Sequence, residues 1–219
     1  MADELVFYTN PMSRGRVVRW MLEEIGCPYR AEVLEYGAMK SPAYLSVNPM
    51  GKVPAIRHGD TVVTETAAIC AYLADAFPQA GLAPPPGDRL RGPYYRWLFF
   101  GAGPLEAAAT NKAFGFAVPE GREGMAGYGS FAAVMDTLEG ALSRGGYLVG
   151  DRFTAADLYL GSHVGWGMEF GTIERRPAFE RYWGCLSARP AARRAKAIDD
   201  ALVAERQAQA PPPPPRAGG

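Results

Sequence analysis

The first 26 residues change from a strand pattern to a helix pattern at Asn10. Residues 4–9, ELVFYT, are rich in strand formers. Ser13 is a suitable N-cap and Gly26 a suitable C′ residue, so the sequence predicts a helix between them. Its apolar positions follow the 3.6-residue period of one helix face: Val17, Val18, Met21, Leu22 and Ile25.

The same alternation continues to residue 78. Strand-like runs are YRAEVLE (29–35), KVPAIR (52–57) and TVVT (61–64), and helix-like runs are SPAYLSVNP (41–49) and ETAAICAYLADAF (65–77). The first two strands are separated by one short helix, which predicts a parallel pair with a right-handed crossover. The last two flank His58-Gly59-Asp60 as an antiparallel hairpin. Residues 1–78 therefore predict a β-α-β-α-β-β-α order, the thioredoxin-like arrangement of an α/β domain.

The rest of the chain has the periodicity of helices. Residues 79–88, QAGLAPPPGD, contain three consecutive prolines and are expected to be a stiff linker. A long helix is predicted over 89–114, bent near Gly101–Pro104. Further helices are predicted over 128–143, 154–170, 177–188 and 191–208. We expect an all-helical domain over 89–209 and a disordered tail over 210–219, where five prolines stand in a row.

Composition narrows the class of protein. The 219 residues contain 23 basic and 23 acidic side chains, which gives no reason to expect nucleic acid or an anionic membrane as a partner. No apolar run approaches the ~20 residues of a membrane span, and the first residues do not resemble a signal peptide. Three widely spaced cysteines and two histidines favour reduced thiols in a cytoplasmic protein without a metal site.

Two short motifs are candidates for ligand binding. Pro54 interrupts a strand, where proline is normally avoided. It is either an ordinary edge-strand proline or part of a cis Val53–Pro54 bond that turns the backbone of Val53 toward a peptide ligand. Glu65 and Thr66 stand at a helix start, where they either cap the helix or bind the charged ends of an amino acid.

The junction between the first strand and helix has a third set of polar residues. Asn10, Ser13 and Arg14 either cap the helix or bind a ligand at its positive end. Arg19 and Glu23, farther along the helix, are expected on its water-exposed side.

Four motifs together resemble the cytosolic glutathione S-transferase family, and its bacterial members above all. They are SRGRVVRWMLEEIG, NPMGKVPAI, TETAAICAYLADAFP and LVGDRFTAADLYLG, in that order over residues 13–161. The resemblance implies that Val53, beside cis-Pro54, pairs its backbone with the cysteinyl part of glutathione. It assigns Glu65 and Thr66 to the γ-glutamyl end and Lys52 to the glycyl carboxylate. It also implies that Thr154 and Asp157 form the capping box of a buried helix, a structural role.

The resemblance further implies conjugation of the glutathione thiolate, as co-substrate, to a small hydrophobic electrophile. Ser13 is the favoured catalytic hydroxyl, assisted by Asn10 or Arg14, and Tyr8 is the alternative. Alternatives of function are a glutathione-dependent isomerase, dehalogenase or peroxidase, and a non-catalytic binding protein. A homodimer with a role in detoxification is implied as well. Candidates for the electrophile pocket are the aromatic residues Tyr94, Tyr95, Trp97, Phe99, Phe100, Phe114 and Trp166.

Overall fold

A computed structural model describes residues 3–209, and its first part contains a four-stranded mixed sheet. The strands are β1 (Leu5–Thr9), β2 (Arg30–Val33), β3 (Ala55–His58) and β4 (Thr61–Thr64). They lie in the order β2-β1-β3-β4; β2 is parallel to β1, and β3 is antiparallel to β1 and β4. The helices of this part are α1 (Gly15–Ile25), α2 (Pro42–Leu45) and α3 (Thr66–Ala76). The predicted β-α-β-α-β-β-α order is confirmed.

The strand register brings three chain segments together. Tyr8 of β1 lies opposite Ala55 of β3, and Ala55 lies opposite Thr64 of β4. The carboxyl ends of β1 and β4 therefore meet the amino end of β3 at one end of the sheet. The helices α1 and α3 begin at this same end, because each follows directly from β1 or β4.

Helix α1 packs its predicted apolar stripe into the core, but its polar side differs from expectation. Gly26 ends α1 with a left-handed φ of 72°, and its N–H donates to the Leu22 carbonyl. The expectation that Arg19 faces water is wrong: its side chain is 2% exposed and its Nε donates to Asp199 Oδ1 at 2.8 Å. The pattern within α1 could not reveal this, because the covering helix comes from residues 190–209.

After residue 89 all regular elements of the described chain are helices. The helices are α4 (Arg91–Phe100), α5 (Glu106–Ala113), α6 (Phe131–Leu142), α7 (Ala155–Phe170), α8 (Pro177–Ser187) and α9 (Pro190–Gln209). The predicted bend is a π-helical turn over Gly101–Leu105, where Pro104 cannot donate a helical hydrogen bond. The expected tail over 210–219 lies outside the described residues.

Helix α7 is the central helix of the molecule and packs against α1, α3, α4 and α8. Its start is fixed by the buried carboxylate of Asp157. Oδ2 accepts from the N–H and Oγ1 of Thr154 at 2.9 and 3.0 Å, and Oδ1 accepts from Leu148 N–H and Tyr182 Oη at 2.8 and 2.9 Å. Burial raises the pKa of Asp157, and these four donors oppose the rise.

Within residues 3–209, no helix is long and apolar enough to cross a membrane, and no cluster of side chains could hold a metal ion. The three cysteines are free. Cys70 is buried, which raises the pKa of its thiol to about 12 and makes it a poor nucleophile. Cys185 is exposed.

Candidate active site

The candidate site lies where the three segments meet at the end of the sheet. Residues 10–14 follow β1, Val53 and Pro54 precede β3, and Glu65 and Thr66 follow β4. Side chains that are 55 residues apart in sequence thus become neighbours through strand pairing.

Val53 presents an unpaired backbone at this end. The Val53–Pro54 bond is cis, and within residues 3–209 the N–H and C=O of Val53 form no hydrogen bond. The preceding carbonyl, of Lys52, accepts from Tyr44 Oη at 2.7 Å and from Asn48 Nδ2 at 2.8 Å. The loop is therefore anchored one residue before Val53, whose own backbone groups stay available to an extended peptide. The side chain of Lys52 is exposed.

Glu65 has an unusual backbone conformation for a residue with a side chain. Its φ is 65°, and it is the single non-glycine residue with positive φ in the described chain. Such a conformation costs roughly 1–3 kcal/mol and is found most often at functional sites. The side chain of Glu65 is exposed. No side chain in the described residues caps α3, so the N–H groups that begin at Thr66 are open to an anionic ligand.

Asn10 anchors the loop after β1. Its side chain is fully buried; Nδ2 donates to the Leu34 carbonyl at 2.8 Å, and Oδ1 accepts from Met12 N–H at 2.9 Å. Both ends of the amide are therefore engaged within the protein, and the structure gives Asn10 the geometry of a loop anchor.

Ser13 lies in the same loop, directly before α1. Its Oγ donates to the Asn10 carbonyl at 2.7 Å and accepts from Gly15 N–H at 2.9 Å. The helix was expected to have Ser13 as N-cap, but it begins at Gly15, and Arg14 holds the cap position. Of the N–H groups from Met12 to Val17, that of Arg14 alone has no hydrogen-bond partner in the described chain.

The two arginines after Ser13 connect the loop to the helical part. The guanidinium of Arg14 forms an ion pair with Glu106 of α5. Arg16 donates from Nε to the Pro11 carbonyl at 2.5 Å and from Nη1 to Asp200 Oδ1 of α9 at 2.7 Å. The loop conformation thus depends on residues from both parts of the molecule.

The side chain of Tyr8 packs against α2. Its ring contacts that of Tyr44, with 5.7 Å between ring centroids. Its phenol oxygen is near Arg57 and raises the pKa of that exposed guanidinium. Phe7, the preceding residue of β1, contacts Tyr29 and Arg19 on the other face of the sheet.

The predicted pocket aromatics separate into four groups. Tyr94 and Trp97 are buried in the core, whereas Tyr95, Phe99 and Phe114 are exposed. Phe100 is half-buried. Trp166 lines a cavity of about 620 Å³ that also contains Met12 and Ser13 in its wall.

Sequence reasoning missed most of this cavity. Its other aromatic walls are Trp20 of α1, Phe170 of α7 and Trp183 of α8, and α9 forms a further wall. One signal was present in the sequence: Gly165, a small residue in the middle of α7. A Cβ at Gly165 would lie 2.4 Å from the indole ring of Trp183, so only glycine leaves room for that ring.

Comparison with known proteins places this geometry in a family. Residues 12–76 match the family profile described as Glutathione S-transferase, N-terminal domain, and residues 114–166 match Glutathione S-transferase, C-terminal domain. Glutathione S-transferase F9 of Arabidopsis thaliana is 30% identical over 178 residues, which cover 71% of this chain and 78% of that protein. The chain belongs to the glutathione S-transferase family.

Solved structures of this family extend the similarity to the whole fold. A glutathione transferase from Methylococcus capsulatus str. Bath is 32% identical, with a TM-score of 0.74 over 90% of this chain and 99% of that one. A sphingomonad glutathione S-transferase complexed with glutathione is 28% identical, with a TM-score of 0.71 over 89% and 98%. Both parts of the chain, the sheet and the helices, thus belong to one glutathione S-transferase fold.

Proposed function

We propose that this protein is an enzyme that binds glutathione and conjugates its thiolate to hydrophobic electrophiles. The observation that carries the proposal is the convergence of three features at one end of the sheet. They are the unpaired backbone of Val53, the open start of α3 at Glu65 and Thr66, and the loop that contains Ser13.

These features match the chemistry of a γ-glutamyl tripeptide. The N–H and C=O of Val53 pair with the cysteinyl residue as a short strand would. Thr66 and the α3 amides receive the γ-glutamyl carboxylate, and the carboxylate of Glu65 receives the adjacent ammonium. Lys52 is placed for the glycyl carboxylate. Similar structures from a sphingomonad and from Sulfitobacter contain bound glutathione, which supports this assignment.

The thiolate requires stabilisation near the start of α1. Lowering a thiol pKa of ~8.5 by two units needs ~2.7 kcal/mol. A helix N-terminus supplies ~0.3–1 kcal/mol, and a hydrogen bond to a charged acceptor ~1.5–3 kcal/mol. We propose that two groups donate hydrogen bonds to the sulfur. One is the Ser13 hydroxyl, after it rotates away from the Asn10 carbonyl, and the other is the free Arg14 N–H at the start of α1. The cysteine sulfur then attacks the electrophile.

Three further features of the protein belong to this proposal. We divide the chain into a glutathione-binding domain (1–78), a linker (79–88) and a helical domain (89–209). We propose a homodimer, for which the exposed aromatic side chains of α4, Phe99 at 72% and Tyr95 at 41%, offer an apolar surface. We also propose a cytoplasmic role in detoxification, as the resemblance to the family implies.

Calorimetric titration with glutathione and ultraviolet detection of bound thiolate test the function together. We expect saturable binding and a bound-thiol pKa below that of free glutathione. Ser13→Ala should raise that pKa by about one unit, or ~1.4 kcal/mol, because one donor is lost. Tyr8→Phe is the matched control, because it also deletes one hydroxyl but on the side of the sheet that packs against α2. It should leave the pKa of the bound thiol unchanged.

Each alternative gives a different result in these assays. Absence of both binding heat and thiolate absorption would show a non-catalytic protein that keeps only the fold. Product analysis separates conjugation from isomerase, dehalogenase and peroxidase reactions, since only conjugation leaves the electrophile carbon bonded to sulfur as the final product. A pKa effect in Tyr8→Phe alone would transfer the role of Ser13 to Tyr8.

A further inference from the structure

The cavity next to Ser13 has a chemical character that narrows the class of electrophile. We propose that its preferred substrates are aromatic electrophiles that carry a carboxylate, with Arg193 of α9 as the residue that recognises the negative charge. This inference rests on the proposed conjugation reaction and assigns its substrate class.

The walls of the cavity suit a flat ring. Trp20 and Trp183 meet edge to face with 6.2 Å between ring centroids, and Trp166 and Phe170 of α7 add two more aromatic surfaces. Trp183 lies flat against Gly165, in the space where any Cβ would clash. Aromatic side chains favour aromatic ligands through stacked and edge-to-face contacts. A volume of about 620 Å³ is ample for a single substituted ring.

The charged side chains around these rings carry an excess of positive charge. Four are basic and two are acidic: Arg14, Arg16, Arg193 and Lys196, with Glu169 and Asp200. Arg14 is already paired with Glu106 of α5. Arg16 and Lys196 share the carboxylate of Asp200. In the described chain Arg193 forms no ion pair, so its guanidinium is the cation available to a ligand. Arg193 is exposed at the edge of this cavity, and its planar guanidinium can bind a carboxylate through two parallel hydrogen bonds.

The loop to which we assign thiolate stabilisation and this cation line the same cavity. Met12 and Ser13 form part of the wall, and Asp200 is fixed next to them through Arg16. Arg193 precedes Asp200 by seven residues on α9, or about 10 Å along the helix axis. A substrate with its electrophilic carbon toward Ser13 can therefore extend its carboxylate along α9 toward Arg193.

A chloronitrobenzoate illustrates the balanced reaction. The glutathione thiolate attacks the ring carbon that bears chlorine, and a C–S bond forms. The electron pair of the C–Cl bond leaves with chloride, so the negative charge of the thiolate departs as the chloride ion. The carboxylate is unchanged and stays available to Arg193 throughout.

The test compares 4-chloro-3,5-dinitrobenzoate with its methyl ester, which has the same reacting carbon but no charge. Each kcat/KM is divided by the rate constant of the uncatalysed reaction with glutathione, which removes the difference in intrinsic reactivity. We expect the normalised ratio of acid to ester to exceed ten. Arg193→Gln should lower that ratio about tenfold, mainly through KM for the acid, and Arg193→Lys should restore most of it.

Arg144→Gln is the matched control, because Arg144 is exposed and lies outside the cavity. It removes the same charge and should leave the ratio unchanged. A ratio near one in the wild type, or an equal decrease in Arg193→Gln and Arg144→Gln, would overturn the substrate class while conjugation of the ester sustains the proposed function. Failure to conjugate either compound would overturn both.

Discussion

Glu65 shows how a single residue can trade stability for binding. Its φ of 65° suits glycine better than a residue with a Cβ, yet an exposed carboxylate stands there. Within the described protein, the Glu65 carboxylate is exposed and forms no hydrogen bond or ion pair. We therefore infer that its partner is the ligand. The strained position is thus part of the site, between the cis-Pro54 segment and the start of α3.

Two substitutions of Glu65 separate strain from binding. Glu65→Ala and Glu65→Gly both remove the carboxylate, but only glycine relieves the positive φ. We expect both to lose most affinity for glutathione in calorimetry. Glu65→Gly should have a free energy of unfolding about 1 kcal/mol higher than Glu65→Ala, after the backbone entropy of glycine is deducted. Equal urea unfolding midpoints would show that relief of strain at residue 65 is no larger than the backbone-entropy cost of glycine.

His163 is expected to control acid stability. Burial, and then the nearby charge of Arg14, lower the pKa of His163 to about 3. The unfolded chain takes up this proton near pH 6.5, whereas the folded chain does not, so stability falls as the pH decreases from 6.5 toward 3. At pH 5 this difference in proton uptake lowers the free energy of unfolding by about 2 kcal/mol. Urea unfolding of His163→Gln should show a smaller loss between pH 7 and pH 5 than the wild type; parallel curves would contradict this.

At the scale of elements, the interface between α1 and α9 contains a buried ion pair of marginal value. Arg19 Nε donates to Asp199 Oδ1 at 2.8 Å, but Arg19 Nη2 and Asp199 Oδ2 have no partner in the described residues. Burial raises the pKa of Asp199, and Arg19 opposes the rise. A buried pair with unsatisfied atoms recovers little more than its desolvation cost.

A double-mutant cycle tests this pair. Arg19→Met leaves the carboxylate of Asp199 buried without a counter-charge and should cost about 3–5 kcal/mol of unfolding free energy. The double variant Arg19→Met, Asp199→Leu removes both charges and should return to within about 1 kcal/mol of the wild type. A double variant that lost as much unfolding free energy as Arg19→Met alone would mean instead that the pair itself, and not the unpaired charge, determines stability.

The elements themselves could be predicted from sequence because their signals are local. Helix periods, Gly26, the prolines and the hairpin signal each lie within a few residues of what they determine, and α7 begins one residue after its predicted start. The burial of Arg19 and the loop-anchor geometry of Asn10 could not be predicted in this way. Both depend on partners, Asp199 and Leu34, that lie elsewhere in the chain.

The candidate site was predictable to a similar extent. Val53 and Glu65 were singled out as candidates because a proline within a strand and polar residues at a helix start are visible in adjacent positions of the sequence. The cavity was found only in part, since it forms where α7, α8 and α9 meet the loop of Ser13. The residues that line the cavity lie far apart in sequence. In addition, aromatic residues buried in a core helix have the same spacing as aromatic residues that line a cavity.

At the scale of the whole molecule, ion pairs connect the helical part with the whole segment from the Ser13 loop to the end of α1. Arg14 pairs with Glu106, Arg16 with Asp200 and Arg19 with Asp199. Glu24, near the end of α1, receives two hydrogen bonds from Arg189 at 2.6 and 2.8 Å. The helical part therefore does more than form a pocket, because it also holds in place the loop to which we assign stabilisation of the thiolate.

Asp200 is the residue through which this coupling can be measured. Its carboxylate orients Arg16, whose Nε donates to the Pro11 carbonyl two residues before Ser13. Asp200→Asn weakens that orientation, so the donors of Ser13 and Arg14 should be less well placed. We expect the pKa of bound glutathione, measured by thiolate absorption, to rise by about half a unit, or ~0.7 kcal/mol.

Lys196→Gln is the control for this experiment, because Lys196 also pairs with Asp200 but does not contact the loop. It should leave the thiol pKa of the glutathione complex unchanged. Through charge alone, Asp200→Asn would lower the thiol pKa and Lys196→Gln would raise it, so opposite shifts of similar size would mean that the effect comes from charge and not from the position of Arg16. If neither shifted it, the loop would hold its shape without α9. A shift in Asp200→Asn alone would mean that glutathione activation depends on contacts made by both parts of the chain.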